Sequence, residues 1–130
     1  IYTGEDTLSL HDALPISCAT GTTCAGFLQA SHPGQKICGV AVLKNAVAVS
    51  GAIRTLARDF EDRFELLSDY VFAGFASVTP ELEAMAAEFS ESWQLKIDTT
   101  YLARVVMAIR ERALAGRVNG RVLLVYTYNE

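Results

Sequence analysis

The sequence predicts an α/β fold with a mainly parallel sheet, on three observations. Apolar, β-leaning runs alternate with stretches of helical periodicity. One run, Lys36 to Leu43 (KICGVAVL), is apolar almost throughout, as in a strand covered on both faces. The helical stretches are long enough to act as right-handed crossovers between parallel strands. The expected order is turn, helix, strand, helix, short strand, loop, helix, helix and strand.

Each element has a local reason. Cys18 to Thr23 is a turn of small residues, and Ala25 to Ala30 reads as a short helix. Ser31-His32-Pro33-Gly34 ends it, because Pro and Gly break periodic structure. After the KICGVAVL strand, a helix is expected from about Val49 to Phe60, with Ile53, Leu56, Ala57 and Phe60 facing inward. Phe64 to Leu67 is a short strand, and Tyr70 to Ser77 (YVFAGFAS) a strand running into a loop. Thr79-Pro80-Glu81 starts a helix with a hydroxyl cap, a proline at the first position and an acid at the positive end of the dipole. Leu82, Met85, Ala86 and Phe89 line it, and Trp93 is expected to anchor its end in the core. Leu95 to Asp98 is a connector. Thr99 or Thr100 caps the next helix, which runs to about Ala115. Tyr101, Leu102, Val105, Val106, Ile109 and Ala113 face inward there, and Gly116 closes it. Asn119-Gly120 turns into a last strand, Arg121 to Tyr126.

The first seventeen residues, IYTGEDTLSLHDALPIS, stand apart. They resemble a translated DNA-sequencing adapter: HDALPI is what CAC-GAC-GCT-CTT-CCG-ATC encodes. Residues 1–17 are therefore expected to be non-native and disordered, and residues 18–130 to be one domain that begins in mid-gene. The formal charge is −4. Glu5, Asp6 and Asp12 carry three of those charges with no Lys or Arg beside them, which leaves −1 for the rest. A nearly neutral chain has no electrostatic footprint for nucleic acid. With 51% hydrophobic residues it can bury a core, yet no apolar run approaches the roughly 20 residues of a membrane span, so no membrane partner is expected. Cys18, Cys24 and Cys38 are odd in number and lack C-x-x-C spacing; they read as reduced structural cysteines, as in a cytoplasmic protein. His32, beside Pro33, is a poor metal ligand, and no metal site is expected.

Ala19-Thr20-Gly21-Thr22-Thr23 carries the main chemical signal. A small-residue turn opening onto a helix exposes successive backbone N–H groups, and three threonine hydroxyls and the helix dipole add to them. Such a turn can hold a phosphate without Lys or Arg, and Gly21 would let the backbone approach closely. The same residues also suit a plain turn and helix cap. The turn lacks the G-K-[ST] ending of a P-loop and is not a G-x-G-x-x-G fingerprint.

CATGTTCAGFL resembles the phosphate-cradling turn of fold-type II pyridoxal-phosphate enzymes. It is most similar to the 1-aminocyclopropane-1-carboxylate deaminase/D-cysteine desulfhydrase group, whose turn reads approximately CATGTGGTLAGL. The similarity continues in order through Gly39 to Lys44 (for GFAVLKG), Tyr70 to Ala76 (for YHFGGYA), Thr79 to Leu82 (for TPEL), Ile97 to Arg104 (for LDPVYTGK) and Val122 to Thr127 (for ILAIHTG). This resemblance implies part of a three-layer α/β sandwich, the C-terminal portion of a large tryptophan synthase β-like domain. It implies pyridoxal 5′-phosphate as cofactor, with Ala19, Thr20, Gly21, Thr22 and Thr23 on the phosphate and Thr127 on the pyridine side. Tyr101 would be the catalytic residue, touching the substrate-bound cofactor or assisting proton transfer. The substrate would be a small amino acid, the products ammonia and a 2-oxo acid, and the longer protein a homodimer.

Departures accompany the likeness. Thr23 and Cys24 stand where Gly and Thr are expected, and Leu102 where a polar residue would meet the pyridine nitrogen. Ala103-Arg104 replace Gly-Lys, and Tyr128-Asn129 replace Gly-Gly. The Schiff-base lysine of this fold type lies upstream of the phosphate turn, whereas Lys36, Lys44 and Lys96 all lie downstream of it. The chain is thus expected to lack that lysine and to be inactive alone. Two other readings stand beside this one. One is a non-catalytic α/β domain whose turn binds a nucleotide or sugar phosphate; the other is a different fold-type II branch.

Overall fold

A computed structural model of the chain describes residues 13–118 and 120–126. Three parallel strands lie in the order β1 (Ala13–Cys18), β2 (Lys36–Ala41) and β3 (Phe64–Leu67). Ala13 is in register with Lys36, and Ile37 with Phe64. Side chains alternate across the sheet, so each strand serves two cores. Leu14, Ile16, Cys18 and Ile37 pack against α1 (Thr22–Ala30) and α2 (Ala46–Leu56) through Leu28, Val49 and Ile53. Val40 faces the other way, toward α3 (Pro80–Trp93) and α4 (Leu102–Leu114), where it meets Leu82, Leu102, Val105 and Ala108. The layers are helix, parallel sheet and helix, as the sequence predicts.

Several boundaries differ from expectation. Ala13–Ser17, set outside the fold as part of the adapter-like segment, lie in β1, with Leu14 and Ile16 buried. The disorder expected through Ser17 does not hold there, because ALPISC places alternate apolar side chains on a sheet face that needs them. Residues 1–12 lie outside the described residues. The last strand, expected over Arg121 to Tyr126, is reduced to one bridge between Ala13 and Val122. Ala13 donates to Arg121 O and accepts from Leu123 N. In a parallel ladder alternate residues address the same neighbour, so the next donor on that side falls at Pro15, which has no N–H.

The second helix starts at Ala46 and stops at Leu56, and a 3-10 segment (Arg58–Arg63) follows. Its buried residues are Val49 and Ile53, with Ala57 buried just after it, while Leu56 is half exposed. Ala57, at φ −137°, breaks the helical phase before the expected i+7 position is reached. Tyr70 to Ser77 forms no strand, because Phe72 (φ 58°), Gly74 (φ 141°) and Ala76 (φ 61°) all lie in the left-handed region. α3 begins as expected, with Thr79 Oγ1 accepting from Leu82 N. Trp93 is 68% exposed rather than an anchor; it stacks on Phe89 at the end of the helix. Neither Thr99 nor Thr100 caps α4. The Asp98 carboxylate does so, accepting from Tyr101 N (2.6 Å) and Leu102 N (3.3 Å), where its charge also meets the helix dipole. Ala113 is exposed and Tyr101 lies at the surface rather than facing inward, while Gly116 (φ 71°) closes α4 as expected.

Buried Tyr70 donates its hydroxyl to Glu111 Oε2 (2.5 Å). Its pKa is pushed up to about 12 by burial and then by that carboxylate. The folded chain therefore holds this proton more tightly than the unfolded chain does. The stabilisation is whole below about pH 10 and is lost as pH rises toward 12. Urea unfolding of the native chain should weaken across that window, and Tyr70→Phe should flatten this part of the fall.

Candidate functional site

The chain leaves β1 at Cys18, turns through Ala19, Thr20 and Gly21, and enters α1 at Thr22. Gly21 holds φ 93°, and a Cβ there would lie 2.8 Å from Ile53 Cγ1. This position requires glycine both for its backbone angle and for its contact with α2. Ala25 N donates to Gly21 O, closing the first turn of α1. No side chain caps that end of the helix, so its first N–H groups are available to an incoming acceptor. The turn sits at the carboxyl end of a parallel strand, the end at which α/β sheets receive ligands.

A cavity of about 160 Å³ opens here, lined by Cys18, Ala19, Thr20, Gly21, Thr23 and Tyr101 among others. Tyr101 reaches it from the start of α4, more than seventy residues further along the chain. Thr22 does not line the cavity; its hydroxyl lies 3.4 Å from that of Thr20. Thr127 lies outside the described residues. Leu102, beside Tyr101, is buried in the α3/α4 core. On the floor, the buried thiols of Cys18 and Cys24 share a hydrogen bond that holds Cys24 protonated, far above the usual thiol range.

Two residues that sequence reasoning missed stand behind Tyr101. The Phe75 ring meets the Tyr101 ring edge-on, with centroids 6.1 Å apart. Arg104 is completely buried in α4 and donates to the carbonyls of Tyr70, Val71 and Ser77. The available signal was an arginine inside the apolar stripe Leu102-Ala103-Arg104-Val105. A cation there needs partners that sequence spacing does not reveal.

A larger cavity, about 310 Å³, lies between the sheet and α4, where Lys36, Cys38 and the Arg112–Glu65 ion pair (2.8 Å) meet apolar walls. It takes in the strand starts Ala13 and Lys36, away from the turn at the mouth of α1. Among the described residues, no three His, Cys, Asp or Glu side chains group as metal ligands, and no helix is long and apolar enough to cross a membrane.

No protein-family model matches the chain, and no curated protein sequence matches it. Among solved structures it is similar to a crystal structure of an ACC deaminase homologue, with a TM-score of 0.76 and 17% sequence identity. The match covers 88% of this chain and 38% of that one. The likeness establishes a shared fold, and the chain spans well under half the length of that protein.

Proposed function

We propose that the chain is the cofactor-phosphate portion of a pyridoxal-phosphate-dependent lyase or deaminase that acts on a small amino acid. D-cysteine desulfhydrase and 1-aminocyclopropane-1-carboxylate deaminase are the types in view. The observation that carries the reading is the uncapped mouth of α1, with left-handed Gly21 and the Tyr101 ring on one cavity. The shared fold with an ACC deaminase homologue supports it.

The residues present fit the group. Backbone N–H groups at the start of α1 and the hydroxyls of Thr20 and Thr23 would hold the 5′-phosphate, with the helix dipole favouring its charge. At about 160 Å³ the cavity is smaller than the roughly 300–1,000 Å³ of pockets that enclose a whole small molecule. It suits the phosphate rather than the phosphate and pyridine ring together. When bound, the cofactor supplies an electron sink for the substrate's α-carbon. Tyr101, 37% exposed at the rim, would shield that ring from water and move a proton at its hydroxyl oxygen. Lys36, Lys44 and Lys96 are all exposed, and the covalent lysine would come from another part of a longer, homodimeric, cytoplasmic protein.

The cavity's size favours one other reading, a non-catalytic domain that binds a phosphate alone. Calorimetric titration with pyridoxal 5′-phosphate and with inorganic phosphate separates the two. The enzyme reading expects tighter binding of the cofactor, with no lysine reduced onto it by borohydride in a peptide map. Thr20→Val should weaken both ligands about tenfold, the loss of one hydrogen bond to a charged group. Equal affinity for the two ligands would favour the binding domain, and a stoichiometric lysine adduct would refute the missing-lysine expectation.

A further inference from the structure

The segment from Tyr70 to Ser77 is held in an unusual way. Two successive turns, closed by Gly74 N to Val71 O and Ser77 N to Gly74 O, carry Phe72 and Ala76 at positive φ. Non-glycine residues adopt that conformation only when their surroundings impose it. Besides the Ser77 hydroxyl, which donates to Gly74 O (2.8 Å), the side chain that holds it is that of Arg104. Its Nη1 donates to Tyr70 O (2.5 Å) and Val71 O (2.9 Å), and its Nη2 to Ser77 O (2.5 Å), so one planar fork ties both ends of the segment together. Its Cζ lies 5.5 Å from the centre of the Phe72 ring. At the middle of the clamped segment Phe75, itself half exposed, bears on the Tyr101 ring.

We infer that Arg104 is a positioning residue. By clamping the 70–77 segment it presses Phe75 against Tyr101 and so fixes the Tyr101 ring beside the phosphate turn. This rests on the reading of that turn as a phosphate site. The geometry supports it because the guanidinium reaches the carbonyls of Tyr70, Val71, Ser77 and Thr99, the Ser77 hydroxyl and aromatic surface, and Phe75 bears on Tyr101 in the cavity wall. A lysine keeps the charge but lacks the fork, and cannot hold both ends at once.

The test labels the chain with 3-fluorotyrosine and follows the Tyr101 fluorine resonance, assigned by its loss in Tyr101→Phe. Arg104→Lys and Phe75→Leu are compared with the native chain well below each melting temperature. Both variants should move the Tyr101 resonance toward that of free fluorotyrosine. Both should weaken pyridoxal 5′-phosphate about threefold to tenfold, the scale of one aromatic contact. Inorganic phosphate affinity should stay within about twofold, since the turn is untouched; a general loosening of the fold would weaken both ligands alike. An unmoved Tyr101 resonance in Arg104→Lys, or equal losses for both ligands, overturns the inference. Failure of the native chain to bind either ligand overturns the site reading instead, and the resonance shift, which needs no ligand, still decides the role of Arg104.

Discussion

Gly21→Ala should destabilise the chain by about 2–6 kcal/mol and abolish the phosphate binding proposed at the α1 mouth. Two costs combine. A residue with a Cβ at φ 93° is strained by about 1–3 kcal/mol. The new methyl also meets Ile53 Cγ1 at 2.8 Å, and such overpacking costs about 1–3 kcal/mol. Ile53 is 1% exposed and packed between the sheet and α1, so it has little room to yield. Urea unfolding measures the loss. In an Ile53→Ala background the overlap disappears, and the extra cost of Gly21→Ala should fall to the strain alone. Equal costs in both backgrounds would show that contact with α2 does not restrict this position.

Arg104→Ala should cost about 3–5 kcal/mol, a large share of the roughly 5–15 kcal/mol typical of a domain. The substitution removes a fully buried side chain and takes the guanidinium donors from the carbonyls of Tyr70 and Ser77, while Val71 O keeps Gly74 N and the Ser77 hydroxyl. Arg110→Ala is the comparison. Its pair with Glu88 (2.9 Å) is exposed on both sides, so its loss should cost under about 1 kcal/mol. Similar losses for the two variants would contradict the structural weight given to Arg104.

The layer order was legible because period and burial agree in KICGVAVL, FELL and the Thr79-Pro80-Glu81 helix start. The turn at the mouth of α1 was legible because small residues, hydroxyls and a following helix leave a local imprint. What failed to show was tertiary. Asp98 outcompetes Thr99 and Thr100 as a cap because its carboxylate reaches two N–H groups at once. YVFAGFAS has the composition of a strand, yet it folds into turns that bond to one another and to a distant arginine. Phe75 joins the site through Tyr101, a neighbour that no spacing rule supplies. The part played by Ala13–Ser17 was hidden for a different reason: a resemblance to an adapter says nothing about whether a peptide satisfies a sheet.

Pro15 has one further consequence. It breaks the hydrogen-bonded continuity between β1 and residues 121–126 after a single bridge. That stretch is tied to the sheet by two backbone bonds at Ala13, with the Tyr126 hydroxyl on Lys96 O further along. Beyond the bridge its attachment passes from the backbone to side chains, with Val125 packed against the core under α1 and α2 and Leu124 against the core under α3 and α4. The proline also blunts that flank of β1 as a template for annealing with the strand of another molecule.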